Sequence, residues 1–302
     1  MKKTVLCAVA LFMAAATQSN SAEPKSESES AKETAGKVDR SDSDKHSAQA
    51  ETTAKTLRLQ IREEIKTLGN HVWAGEYYFG DGLGVNVSLI IAPKSGYLFE
   101  WHGCMGLYDR NYGAVTCTKG RLRLSFTFPN KRQGFEGIAE ELVPIAWGDR
   151  KYLVPADGIV GFCNAVNDGS ESRKGPHGFY LLRRGDEEKE VKGFPPVPEK
   201  FRPYLLASPI DAEIVGVGKF TTRPSVCDWK FRDTPVTLNR GKKQGLLVGM
   251  TLHVAEPDNV VESVTITKVD DERSEAVMTQ MEEEKGPRIG WKLSTRCPWL
   301  FK

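Results

Sequence analysis

Cysteine is scarce in this sequence. Six cysteines occur in 302 residues, and no two of them stand at the C-x-x-C spacing of zinc and redox motifs. This density is also far below that of a small disulfide-rich scaffold. The sequence therefore gives little support to metal or redox chemistry carried by cysteine.

An excess of charge of either sign is missing too. The formal net charge is +2, and two lysines belong to the extreme N-terminus, which leaves 42 − 2 = 40 basic against 40 acidic side chains. No basic stripe with interleaved aromatic residues is present. Nucleic acid is therefore a poor candidate partner.

Long apolar runs are limited to one, at the N-terminus. Residues 4–16 form an apolar run of about 13 residues, and mostly small residues follow as far as Ala22. A helix needs roughly 20 residues to span a bilayer, so this pattern predicts a secretory signal peptide over residues 1–22 rather than an anchor. Cleavage is expected after Ala16 or Ala22. We expect export to the periplasm or beyond, with no transmembrane segment after signal removal.

Export changes what the cysteines are expected to do. Removal of the signal peptide takes Cys7 with it and leaves 6 − 1 = 5 cysteines. An odd number in an oxidising compartment leaves at least one thiol unpaired or paired between chains. The favoured disulfide joins Cys104 and Cys117, because these residues lie in neighbouring predicted strands. The other three are Cys163, Cys227 and Cys297.

Large apolar side chains are almost absent from residues 23–51. The segment consists mostly of Ser, Glu, Lys, Asp and Ala. Such a composition cannot bury enough apolar surface to offset the entropy lost on ordering the chain. We expect a disordered tail there.

A helical period begins at residue 52. Apolar residues recur at spacings of three and four as far as Leu68, and Gly69 follows as a C-terminal stop. The pattern predicts an amphipathic helix over residues 52–69. Its apolar stripe is narrow, which favours packing on the following domain over a coiled coil. The residues of the stripe are Leu57, Ile61, Ile65 and Leu68.

Alternation with a period of two dominates residues 70–205. Residues 85–89 and 121–128 alternate polar and apolar, which is typical of strands with one buried face. Gly148-Asp149 can turn a two-residue hairpin. These features predict an antiparallel meander or barrel domain with hairpins and a short helix that ends at Gly169.

A proline-dense connector, residues 192–204, follows this domain. Its prolines favour extended backbone, and we expect a domain boundary after residue 205. Residues 206–302 again contain alternating runs and predict a smaller β-barrel. The expected fold class is mainly β, with the meander or barrel domain, short helices and this C-terminal barrel.

Two lysines stand between glycines in VTLNRGKKQGLLVGMTLHV, residues 236–254. A phosphate-binding loop of the Walker type needs G-x-x-x-x-G-K followed by Ser or Thr, between a strand and a helix. Here no Ser or Thr follows Lys243, and the chain continues as a strand. The pattern instead predicts that Gly241, Gly245 and Gly249 supply tight turns and positive φ angles. No cofactor is expected.

The same segment resembles a known family. Its glycines and apolar positions are similar to the small glycine-marked β-barrel at the C-terminus of bacterial flagellar assembly T proteins. A looser likeness is to the β-domain of the rod-shape-determining protein C. The resemblance covers residues 210–295 and implies an extracytoplasmic module that contacts other envelope proteins, with no catalytic residues. The matching positions are Val236, Leu238, Asn239, Gly241, Gly245, Leu246, Gly249, Met250 and Val254.

A second resemblance lies at the start of the β-rich domain. In HVWAGEYYFGDGLG, Trp73 and Gly75 followed by Tyr77 and Tyr78 are similar to the first strand of lipocalin-type barrels, although the usual order is Gly-x-Trp. This resemblance implies a barrel that binds a small apolar ligand.

One pair of side chains offers nucleophilic chemistry. His102 stands two residues before Cys104, and residues two apart on a strand share a face, so a Cys/His hydrolase is conceivable. No third, orienting residue is evident, and a structural disulfide at Cys104 is favoured. We therefore assign no catalytic, cofactor-binding or metal residues from the sequence.

The function expected from these patterns is that of an exported bacterial envelope protein that acts through protein contacts, without catalysis. The alternatives are a lipocalin-like binder of a small apolar ligand and, with less support, the Cys/His hydrolase. Envelope proteins or a small apolar ligand are the expected partners.

Overall fold

The structure is a computed structural model. It describes residues 40–80, 85–132, 135–171, 180–224, 230–255, 262–281, 284 and 286–298. The predicted signal peptide and residues 23–39 of the predicted tail lie outside the described residues. The chain divides into two compact units, Met1–Glu141 and Leu142–Lys302. Strands account for 44% of the chain and helices for 18%, which confirms the mainly β class.

The first described element is helix α1, Arg40–Leu68. Residues with high helix propensity, including Ala, Glu, Lys, Gln, Leu and Arg, make up much of it. Ala54 and Ile61 are fully buried, and the helix is followed by Gly69 with a φ of 60°. The helix begins earlier than the apolar period predicts. Residues 40–51 are therefore helical, where the composition predicts disorder.

The strands of the first unit form antiparallel hairpins. Four of them follow the order β4-β3-β2-β1, and β5 pairs with β6. The bounds are β1 Gly75–Gly80, β2 Val85–Ala92, β3 Gly96–Gly103, β4 Gly106–Gly113, β5 Val115–Thr118 and β6 Arg121–Leu124. Two-residue strands β7, Lys131–Arg132, and β8, Phe135–Glu136, form a separate hairpin.

The register of strands β1 to β4 shows which side chains share each face of this four-stranded part, and the two faces differ in composition. On one face, the row of cross-strand neighbours Tyr77, Leu89, Phe99 and Asn111 has no exposed surface. On the other face the row is Glu76, Ile90, Leu98 and Tyr112. We call the first face the inner face and the second the outer face. Large apolar side chains fill the inner face, whereas the outer face is mixed.

The second unit begins with a three-stranded antiparallel run in the order β9-β10-β11. Gly148-Asp149 forms the predicted two-residue turn between β9 and β10. Helix α2 buries Ile159, Phe162 and Cys163 and ends at Gly169, as the sequence predicts. The bounds are β9 Glu141–Trp147, β10 Arg150–Pro155, α2 Ile159–Asp168 and β11 Leu181–Arg183.

A closed six-stranded β-barrel completes the second unit. Its strands follow the order β12-β18-β15-β16-β17-β14, and pairing between β12 and β14 closes the ring, while β13 pairs with β14 outside it. The bounds are β12 Asp211–Val217, β13 Thr221–Pro224, β14 Lys230–Leu238, β15 Thr251–Val254, β16 Ser263–Val269, β17 Ser274–Met281 and β18 Lys292–Ser294. Short 3-10 helices lie at Glu199–Tyr204 and Lys242–Gln244.

Aliphatic side chains fill the barrel interior. Along each strand every second side chain points inward. In β16 these are Val264 and Ile266, which are buried. The predicted boundary after residue 205 lies inside the second unit, shortly before the first barrel strand. The buried interior residues are Ala212, Ile214, Val236, Leu238, Leu246, Met250, Leu252, Val254, Val264, Ile266, Ala276, Met278 and Leu293.

The predicted disulfide is not formed. Cys104 lies in the turn between β3 and β4, and Cys117 lies in β5, which starts beyond the other end of β4. An eight-residue strand spans about 27 Å, whereas a disulfide needs Cα atoms within about 7 Å. Both cysteines are thiols with exposed side chains. The prediction treated Cys104 as a strand residue, whereas the structure places it at the hairpin turn, away from Cys117.

Candidate functional site

The hairpin of β3 and β4 exposes apolar side chains at its end. We call residues 101–108 the β3–β4 tip. Met105 is 89% exposed, Tyr108 50% and Leu107 42%. Single exposed apolar residues are ordinary on protein surfaces, but neighbouring ones mark interaction sites. The tip is therefore the strongest candidate interaction surface in the first unit.

Local sequence explains the shape of the tip. Gly106 adopts a φ of 105°, which suits the tight turn around Cys104 and Met105. A Cβ at Gly103 would lie 1.9 Å from Cε2 of Tyr108, so the Tyr108 ring covers this glycine. The same ring meets Trp101 edge to face, with centroids 6.0 Å apart at 90°. These contacts hold the aromatic side chains in place next to the exposed Met105.

The two side chains of the hydrolase alternative lie on this tip. His102 belongs to β3 and Cys104 to the turn, and both are exposed. Among the described residues, no carboxylate hydrogen bonds to His102, so no third group orients it. Nucleophilic catalysis by cysteine needs a base held in place and a site that excludes water. The geometry gives this alternative no support.

The glycine and lysine loop is a turn packed against another turn. The backbone N–H groups of Lys242 and Lys243 donate to the carbonyl oxygens of Asp270 and Asp271, at 2.8 and 3.0 Å. These amides are thus engaged by protein carbonyls rather than directed at an open anion site. Lys243 also pairs with Glu272, at 2.5 Å. The loop connects β14 to β15.

The three predicted turn glycines differ in what they supply. Gly245 and Gly249 have φ angles of 92° and 88°. Gly241 has a φ of −143°, which other residues also adopt. Glycine is required at position 241 because there is no room for a side chain. A Cβ there would lie 2.3 Å from the carbonyl oxygen of Asp270.

The residues of the lipocalin-like resemblance lie at the start of the first unit. Trp73 precedes β1 and is buried, and its carbonyl oxygen accepts a hydrogen bond of 2.8 Å from the Tyr77 hydroxyl. Gly75 begins β1. Tyr78 turns to the opposite face, where its hydroxyl bonds to Asn86. Tyr77, in contrast, lies on the inner face and helps to fill it.

An ionic network attaches α1 to the outer face, and the sequence patterns did not reveal it. Glu100 of β3 accepts hydrogen bonds from Arg58 and from Arg110. Arg110 also donates to Glu51, at 2.6 Å. Glu100 is 6% exposed. One turn along the helix, Arg62 binds Glu76 through two hydrogen bonds of 2.8 and 3.0 Å.

A buried carboxyl group, Glu171, lies just after α2 in the second unit. The hydroxyl of Tyr180 donates to the Glu171 carboxyl group. Arg150 donates to the backbone carbonyl oxygen of Glu171 at 3.1 Å. Glu171 and Arg150 are each 1% exposed. Burial raises the pKa of Glu171 to about 7, although the hydrogen bonds of Tyr152 and Tyr180 and the charge of Arg150 act in the opposite direction.

This cluster contributes to the structure of the core. Arg150 also donates to the carbonyl oxygens of Glu187 and Lys189, at 3.0 and 2.6 Å. Tyr152 and Tyr180 pack edge to face, with centroids 6.0 Å apart. The sequence did contain a signal for this cluster. Arg150 stands two residues before Tyr152 on one strand, so the two side chains share the buried face.

No protein-family model, curated protein or solved structure matches this chain. In the described ranges, no group of three or more His, Cys, Asp or Glu side chains is arranged to hold a metal ion. Neither described α-helix has the length and apolar content needed to span a membrane. The two resemblances seen in the sequence stay predictions.

Proposed function

We propose that the protein is exported and works in the cell envelope through contacts with other proteins, with the β3–β4 tip as a contact surface. The observation that carries this proposal is the joint exposure of Met105, Leu107 and Tyr108 at the end of one hairpin. Aromatic residues and methionine are enriched in protein interfaces.

The chemistry of the tip suits an apolar pocket on a partner. Between Trp101 and Tyr108 the sequence contains no Lys, Arg, Asp or Glu. Binding there removes no carboxylate, ammonium or guanidinium charge from water. The packing of Tyr108 against Trp101 and Gly103 also reduces the side-chain entropy that binding costs.

The interiors of the described sheets favour surface contacts over the enclosure of a ligand. Tyr77, Leu89 and Phe99 occupy the inner face of the first unit, and aliphatic side chains occupy the six-stranded barrel. A carrier of small apolar molecules needs an enclosed cavity of several hundred Å³ at such a place.

Site-specific photo-crosslinking tests the proposal. The full chain carries benzoylphenylalanine in place of Met105, and the matched control carries it at Asp149 in the exposed β9–β10 turn. In envelope preparations from the source organism, we expect a discrete protein adduct at position 105 and none at 149. Leu107→Glu should reduce this adduct about ten-fold, because a charge then enters the contact.

Two results count against the proposal. One is labelling that is equal at both positions, and the other is an adduct at position 105 that contains only lipid. Leu107→Glu must keep its thermal unfolding midpoint, so that loss of the adduct reports on the contact.

A further inference from the structure

An open groove of about 540 Å³ lies on the first unit between α1 and the ends of three strands. One wall is a single face of the helix, and the other is formed by the β2–β3 turn and the end of β4. The volume is within the range of small-ligand sites. The lining residues are Thr52, Thr53, Thr56, Leu57 and Gln60 of the helix, and Lys94, Ser95, Gly96, Tyr112, Gly113 and Ala114 opposite.

The walls of the groove are fixed by contacts that need no ligand. The Glu64 carboxylate of α1 accepts hydrogen bonds from the backbone N–H groups of Lys94 and Ser95, at 2.9 and 2.7 Å. A Cβ at Gly96 would lie 2.1 Å from the carbonyl oxygen of Gly113. The turn is therefore tied to the helix, and the backbones at its base are in close contact. A preorganised groove loses little entropy on binding.

Three donors on the lining have no hydrogen-bond partner within the described part of the chain. They are the Gln60 amide, the Lys94 ammonium and the Tyr112 hydroxyl. The Thr53 and Thr56 hydroxyls, in contrast, donate to helix carbonyl oxygens at 3.0 and 3.1 Å. The groove therefore offers a cationic donor and two neutral polar groups to a ligand.

Charge limits the class of ligand. Among the described residues that line the groove, Lys94 is the one charged side chain, and none is acidic. A single ammonium suits a single carboxylate better than a polyphosphate. Glu64 lies close enough to interact with Lys94, which moderates the positive potential. We expect weak binding, with a dissociation constant on the order of 1 mM.

The neutral part of the lining carries hydrogen-bonding groups beside a larger apolar surface. Hydroxyl and amide groups can both donate and accept, which matches the hydroxyl groups of a sugar. The apolar surface includes Leu57, Ala114 and the ring of Tyr112, which can face the C–H groups of a sugar ring. We infer that the groove binds a small polyhydroxylated carboxylate, that is, an acidic sugar whose carboxylate pairs with Lys94.

A titration of the folded chain followed by 1H–15N NMR tests this site. The ligands are glucuronate, glucose as the sugar without a carboxylate, and acetate as the carboxylate without a sugar. We expect glucuronate to give saturable shifts of the Lys94, Ser95 and Gly113 amides, with about ten-fold weaker binding of glucose and of acetate.

Two variants and a control make the result decisive. Lys94→Gln should reduce glucuronate affinity about ten-fold, to the level of glucose, because the charge-assisted contact is lost. Gln60→Ala should weaken both sugars. Lys119→Gln, in the exposed β5–β6 turn of the same unit, should change neither.

The inference is overturned if glucuronate causes no saturable shift, if glucose or acetate binds as tightly, or if Lys94→Gln binds glucuronate like the unaltered chain. The site is separate from the β3–β4 tip. Failure of this titration therefore leaves the crosslinking result at position 105 unaffected, and the converse also holds.

Discussion

Glu171 shows how one buried side chain makes stability depend on pH. Its pKa is raised to about 7 by burial, from an ordinary value of 4.5. Between these values the folded state binds more protons than the unfolded state, so stability falls as pH rises from about 4.5 to about 7. The contribution is fully present below the lower value. A shift of this size corresponds to about 3 kcal/mol at most.

Glu171→Gln should remove this dependence. A neutral amide has nearly the same shape and cannot ionise, so we expect the variant to be more stable than the unaltered chain at pH 8 by up to about 3 kcal/mol. At pH 4.5 the difference should be close to zero. Urea unfolding at a series of pH values measures both.

Glu188→Gln, at an exposed position, serves as the control for Glu171→Gln. It should follow the pH profile of the unaltered chain. A difference between Glu171→Gln and the unaltered chain that stays constant from pH 4.5 to 8 contradicts the assignment, because ionisation then has no part in the effect.

At the scale of an element, helix α1 depends on ion pairs as well as on apolar packing. Glu100 lies between Arg58 and Arg110 and is nearly buried. Removal of one partner from a buried network leaves uncompensated charge, which costs about 3 kcal/mol or more. Exposed pairs contribute about 1 kcal/mol or less. The position of the pair therefore decides its contribution.

Glu100→Gln should destabilise the first unit by about 3 kcal/mol, since two guanidinium groups then face a neutral amide. Glu63→Gln is the matched control, because Glu63 is 70% exposed and pairs with Lys66 on the same helix. Urea unfolding gives the free energies, and hydrogen exchange at the Ala54 and Ile61 amides reports on α1 directly. Equal effects of the two substitutions argue against the network.

This network also explains which part of α1 could be predicted. Buried Ile61 has a local signature, because apolar residues recur with the helical period. Glu51 contacts Arg110 at a sequence separation of 59 residues. A charge pair over such a distance leaves no periodic pattern. The helical residues just before the predicted start at residue 52 were missed because the contact of Glu51 is ionic and long-range.

For the whole molecule, the prediction from sequence was strongest where the alternation of polar and apolar residues and the positions of the glycines indicated the same strands and turns. The mainly β class and the small C-terminal barrel follow from runs such as Val264 to Thr267, in which every second side chain points inward. The sequence contained no comparable pattern to show which strands pair with one another or where each hairpin turns. Cys104 was assigned to a strand, although it lies in a turn, and the structure does not form the predicted disulfide with Cys117. The groove at Lys94 joins elements distant in sequence and left no motif.

The domain boundary predicted after residue 205 can be tested against contacts within the second unit. Asn164 of α2 donates to the carbonyl oxygen of Gly249 at 2.9 Å and accepts from the Thr251 amide at 3.3 Å. His253 of β15 lies 3.3 Å from the Asp168 carboxylate. The barrel strands thus use partners that precede the boundary.

A fragment of residues 206–302 should therefore have a less stable barrel than the full chain. The two hydrogen bonds of Asn164 and the His253–Asp168 contact are each assigned about 1 kcal/mol, so their loss predicts about 100-fold faster hydrogen exchange at the Val254 and Ile266 amides. Asn164→Ala in the full chain should produce about a 30-fold increase, because it removes two of these three contacts. Equal exchange rates in the fragment and the full chain support a boundary at residue 205 and contradict a stabilising role for α2. Mass spectrometry of exchanged peptides from β15 and β16 distinguishes the two results, since both strands are present in every sample.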